Sequence, residues 1–190
     1  DLTFEKLFME LRKFLLHNVE KVELTLKQMQ FLESLALQCF INEYIYFESD
    51  EDIEAVSRLA QKITALLQKN TQPRSLEVLC LACFRPLYKL EWRKNLKLSD
   101  LHIKIKKIQI NDPLIEKNEI RKLPVLSALA DKTSKKVRKQ YEENPYPRWV
   151  GIGIKNEPNT IKKVINLIGL NANLDCLESV KCPDILIAGC

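Results

Sequence analysis

Apolar residues recur at steps of three and four through most of the chain, and this period predicts a succession of helices. Phe4, Leu7, Phe8, Leu11, Phe14 and Leu15 form one stripe over residues 3–17, the mark of an amphipathic helix. Thr25 and Gln28 stand at capping-box spacing, where each side chain can satisfy a backbone amide at a helix start. The helix they open is apolar on more than one face (Phe31, Leu32, Leu35, Leu37, Cys39, Phe40, Ile41), which predicts a central helix covered by neighbours. Ser49 precedes Asp50, Glu51 and Asp52, a capping side chain with carboxylates at the positive end of the next helix. Ile53, Val56, Leu59, Ala60, Ile63, Leu66 and Leu67 then repeat cleanly, until Asn70–Pro73 ends the run. Ser75 is the expected cap of a helix from Leu76 to about Trp92, which Pro86 should kink or split.

Further along, Ile103, Ile105, Ile108 and Ile110 fit either a β-branched strand or the buried side of a short helix capped by Ser99. Helix is preferred, because no partner strand lies nearby to satisfy the backbone. Asp112 and Pro113 predict an N-cap with proline at the first helical position and a helix to about Lys122, which Pro124 ends. Residues 128–143 read as a basic helix with Ala130, Val137 and Tyr141 near its apolar side. Thr160 opens a helix through Ile161, Val164, Ile165 and Ile168, with Gly169 where a C-cap glycine belongs. The last stretch, Cys182–Cys190, is a short apolar run ending on glycine, the pattern of a buried parallel strand feeding a tight turn. A βαβ unit needs about 30 residues or more, so this strand is expected to open a nucleotide-type fold that continues past Cys190.

Composition sharpens the division of the chain. All four glycines (Gly151, Gly153, Gly169 and Gly189) follow residue 150. The expected architecture is therefore mainly α: a helical domain over 1–150, then a linker, a helix and a first strand over 151–190. With 46% hydrophobic residues the chain can build a core. No apolar run is long enough to cross a membrane, and no secretory signal pattern opens the sequence. The six cysteines (Cys39, Cys80, Cys83, Cys176, Cys182 and Cys190) mostly lie in apolar helical patterns, so reduced thiols and a cytoplasmic setting are expected.

Candidate chemistry is sparse. Cys80 and Cys83 form a CxxC in mid-helix with no second pair, which favours packing over metal or redox work. No metal-ligand set and no nucleophile–base constellation can be assembled with only His17 and His102, so no catalytic residue is assigned. Net charge is +5, with basic runs at 85–107 and at Lys132, Lys135, Lys136, Arg138 and Lys139. Solvated helix faces explain such runs more simply than phosphate contacts, and the expectation is against a nucleic-acid partner. The densest motif is Tyr141–Trp149, YEENPYPRW. Its two prolines force an extended segment on which Tyr141, Asn144, Tyr146, Arg148 and Trp149 can stack and hydrogen-bond, either to a ligand or as a staple between domains.

YEENPYPRW and DILIAGC (Asp184–Cys190) together resemble a bacterial family of S-adenosylmethionine-dependent methyltransferases, often carrying N-terminal tetratricopeptide repeats. Leu37–Tyr44 is also similar to the helical region of that family. The resemblance implies a Rossmann-like class I methyltransferase domain whose first strand ends at Gly189 and Cys190, the start of the cofactor turn. It further implies that Tyr141, Asn144, Tyr146, Arg148 and Trp149 cover substrate or cofactor, and that S-adenosylmethionine binds the whole protein but not this stretch alone. Ile187 stands where the commoner methyltransferase pattern has an acidic residue, and tetratricopeptide periodicity is absent from this chain. The expected partners are the catalytic remainder of the same chain, a protein substrate, and another copy through the terminal strand. The alternative is a helical module that binds protein or nucleic acid without enzymatic activity.

Overall fold

The computed structural model describes residues 2–97, 102–122, 131–143 and 159–175, and the regular structure of these residues is mainly α-helical, with no strand among them. The chain divides into two compact units, Asp1–Val150 and Gly151–Cys190. The terminal strand expected over 184–187 lies outside the described residues.

In the first unit, α1 spans Leu2–Asn18, α2 Leu26–Ile41, α3 Asp50–Gln68 and α4 Ser75–Ala82. The predicted Thr25 capping box forms, and Ser49, expected as a cap, forms a second box. Thr25 exchanges side-chain and backbone bonds with Gln28 at the start of α2, and Ser49 does so with Asp52 at the start of α3. The core gathers Leu15, Leu16 and Val19 of α1 and its C-terminal edge, Leu32, Leu35, Ala36 and Cys39 of α2, and Val56, Leu59, Ile63 and Leu67 of α3 around α4.

The central helix is α4, not α2. Every residue from Leu76 to Phe84 is buried, so this short helix is covered on all sides. α2 instead leaves Phe31 and Leu26 exposed. Ser75 is not the cap of α4 but its first helical residue. Arg74 is the N-cap, and its amide donates to the Glu77 carboxylate at 3.0 Å. Glu77 also meets Lys62 Nζ at 3.0 Å and Arg74 Nε at 3.4 Å, while Arg74 Nη2 donates to the Val19 carbonyl at 2.6 Å. Burial pushes the Glu77 carboxyl up, but the hydrogen bond from Lys62 and the Arg74 contacts hold it below the usual range.

The helix expected to reach Trp92 stops at Ala82. Proline at position 86 has no amide to offer the carbonyl four residues earlier, that of Ala82, and its ring crowds that turn. The chain continues as two 3-10 turns, Leu87–Lys89 and Glu91–Lys94. The orphaned Ala82 carbonyl accepts a bond from the buried Gln109 side chain at 3.2 Å, and the same nitrogen reaches the Ala36 carbonyl of α2 at 2.9 Å.

Gln109 sits in a continuous helical stretch made of α5 (Ile103–Ile105), a π-helical segment Lys106–Asn111, and α6 (Asp112–Ile120). The helix preferred for the isoleucine run is thus present. Asp112 is not an N-cap, because Asn111 before it already has helical angles, and Pro113 falls inside a running helix. The wider π turns ahead of Pro113 relieve the crowding that proline imposes on the preceding turn.

α7 covers Lys132–Glu143, with the Asp131 carboxylate accepting the Ser134 amide at 2.7 Å ahead of it. In the second unit α8 spans Ile161–Leu167 behind a Thr160 cap. Gly169, at φ +70°, closes it as foreseen: the Gly169 amide bonds to the Asn166 carbonyl and the Leu170 amide to that of Ile165.

Candidate functional site

Of the residues singled out by the sequence, Tyr141 is on α7 and exposed. Asn144, Tyr146, Arg148, Trp149, Gly189 and Cys190 lie outside the described residues. The basic run 85–107 does not act as one strip. Arg85 is held by Glu48 through two contacts of 2.8 Å, Lys89 lies over the Tyr88 ring, and Lys107 pairs with Asp112 at 2.6 Å. On α7 the lysines and Arg138 are all exposed.

The most elaborate polar cluster surrounds Arg12, which periodicity alone did not mark. Arg12 is fully buried on the core side of α1. Nη1 donates to the Cys83 carbonyl at 3.2 Å, and Nη2 donates to the Tyr46 and Phe47 carbonyls at 3.0 and 3.1 Å. Its guanidinium stacks 4.5 Å from the Phe84 ring centre and 5.0 Å from that of Tyr46, with Glu48 at 4.0 Å. The cation thus sits at the carbonyl end of α4, where the helix dipole favours it. The segment it grips leaves α2 through two residues of positive φ, Glu43 at 52° and Tyr44 at 56°, a conformation that costs non-glycine residues energy.

Three buried thiols adjoin this cluster. Burial pushes Cys80 up to about 12 and Cys83 well above the usual thiol range, while a hydrogen bond from Cys83 holds Cys39 below it. The CxxC pair therefore stays protonated and packs, which is inert chemistry. Among the described residues no group of His, Cys, Asp and Glu is placed to hold a metal ion, and no helix is long and apolar enough to cross a membrane.

Two surface features remain. A groove of about 230 Å³ opens beside the π-helical segment. Leu96, Ile110 and Leu114 supply its apolar lining; Arg93, Lys94, Lys106 and Asn111 supply the polar one. On α1, Phe4, Leu7 and Phe14 are each more than half exposed and follow one another at steps of three and seven, a row beside the buried stripe of the same helix. Comparison with models of protein families, with curated proteins and with solved structures found no match to this chain.

Proposed function

We propose that this chain is the helical accessory region of a class I methyltransferase, leading into the first strand of the cofactor domain. The observation that supports this reading is the pairing, in one chain, of the YEENPYPRW segment with DILIAGC. The exposed Tyr141 on α7 adds to it, since the segment begins on a surface that a substrate, a cofactor or the catalytic domain could meet. In this role the accessory region shapes access to the methyl donor, and the donor's turn and adenosine site belong to later parts of the fold. Calorimetric titration of S-adenosylmethionine tests the reading. Residues 1–190 should give no saturable heat, a chain extended beyond Cys190 should bind, and Arg148→Ala or Trp149→Ala in the extended chain should weaken that binding. Tight binding by residues 1–190 alone would overturn it.

The apolar row of α1 favours a second reading, a helical module that docks protein through Phe4, Leu7 and Phe14. Exposed apolar rows of this kind mark contact surfaces more often than isolated residues do. On this reading the chain associates as its concentration rises in sedimentation velocity, and the Phe4→Ser/Leu7→Ser/Phe14→Ser variant sediments as a monomer with an unchanged far-ultraviolet spectrum. A wild-type chain that stays monomeric throughout the micromolar range argues against contact between copies.

A further inference from the structure

The groove beside the π-helical segment gathers three cations over an apolar floor. Several cations elsewhere are matched, Arg74 with Glu77, Arg85 with Glu48, Lys62 with Glu20 and Glu77, Lys107 with Asp112, and the lysines of α7 stand on an open helix face. Around the groove Arg93, Lys94 and Lys106 converge, and among the described residues no carboxylate lines it. Among the described residues no ion pair reaches Lys94 or Lys106. Arg93 spends Nη1 on the Leu90 carbonyl at 2.9 Å and keeps a buried Nε without a partner. Three cations gathered on one groove, none of them in an ion pair among the described residues, favour an anion that arrives from outside the chain.

The backbone points the same way. The π-helical segment runs through the groove wall, and its i→i+5 register sets Asn111 over Lys106. Such turns recur at functional sites because they re-aim side chains that a regular helix would spread apart. The apolar lining is equally definite, with Leu96 and Ile110 buried and Leu114 half-buried. Its volume is below the roughly 300–1,000 Å³ of sites for drug-sized ligands, so the occupant is small.

We propose that this groove binds a small organic anion, a carboxylate or phosphate ester with a short apolar body, held by Arg93, Lys94 and Lys106. The anion meets the guanidinium and the two ammonium groups, and the body lies on Leu96, Ile110 and Leu114. Free phosphate shares the charge but not the body, and a polynucleotide shares the phosphate but would extend past the groove. The site does not depend on the methyltransferase reading.

The test is a 1H–15N titration of residues 1–190 at fixed ionic strength with n-butyl phosphate, hexanoate and inorganic phosphate as separate probes, and with a single-stranded oligonucleotide as the fourth arm. At least one organic anion should give saturable shifts at Leu96, Lys106, Ile110 and Asn111. It should bind roughly threefold or more tightly than inorganic phosphate, the worth of a partly buried short alkyl chain. Lys94→Gln/Lys106→Gln should weaken that organic anion about tenfold, the worth of two solvent-exposed charge contacts. Because both lysines are exposed, the melting temperature should not change. The arm that saturates distinguishes carboxylate from phosphate ester. Absence of saturation by both organic anions overturns the proposal, as does binding that the double variant leaves intact. Oligonucleotide binding tighter than either organic anion, with shifts extending along α7, would overturn it in favour of a nucleic-acid surface.

Discussion

Replacing Arg12 by methionine should destabilise the helical unit by about 3–5 kcal/mol, read as a fall in the urea midpoint by circular dichroism. A buried cation costs several kcal/mol in lost hydration, and exchanging a whole ion pair for apolar residues is often neutral. Arg12 differs because most of its partners cannot be exchanged. The carbonyls of Cys83, Tyr46 and Phe47 belong to the backbone and stay buried or half-buried when the guanidinium goes. Each acceptor left bare costs about 1–3 kcal/mol, which sets the scale of the loss. Glu48 retains Arg85 and so adds little. Arg12→Lys should recover less than half, since one ammonium cannot span two chain segments and also stack between Phe84 and Tyr46. A loss under about 1 kcal/mol for the methionine variant would show that these bonds contribute little beyond packing.

The second large effect is at Asp52, where Asp52→Asn should cost about 2–3 kcal/mol at neutral pH and progressively less in acid. Asp52 is almost wholly buried at the start of α3. Burial by itself would raise its carboxyl, but bonds from His17 at 2.8 Å, the Ser49 amide at 3.0 Å and Lys13 at 3.3 Å hold it far below the usual range. The folded chain therefore keeps the carboxylate ionised at pH values where the unfolded chain, with an aspartate near about 3.9, has taken up a proton. Its stabilisation is complete above that value and disappears as pH falls towards the lower folded one. Urea midpoints of the two proteins should differ most at pH 7 and converge below about pH 4. A gap that is the same at pH 7 and pH 3 would sink this account.

Local signals were legible. The Thr25 capping box, the Ser49 cap, the close of α8 at Gly169 and the helical period of α1 and α3 depend on residues within four positions of one another, and they are where the pattern placed them. The start of α4 carried such a signal too: Glu77 stands three residues after Arg74, whereas Val78 follows Ser75 at that spacing. Proline rules also foretold that the Ala82 carbonyl would lose its donor, though not that Gln109 would supply one.

What periodicity cannot carry is the long-range polar bond. Arg12 lies among Phe8, Leu15 and Leu16 and interrupts their pattern, because its partners are carbonyls more than thirty residues away. The groove was half legible. Its cations were counted in the basic run 85–107, but Glu48 and Asp112 had to be placed before Arg85 and Lys107 could be set aside. Of the cofactor-covering candidates, the structure describes only Tyr141.

α4 ends on carbonyls that are met from both directions along the chain, by Arg12 from upstream and by Gln109 from downstream. A helix of eight residues has little stability of its own, and this one is completed only when α1 and the π-helical segment are both in place. Residues 12 to 109 are thereby tied into one cooperative unit. Local opening at either end would uncover the same buried carbonyls, so these segments should unfold together.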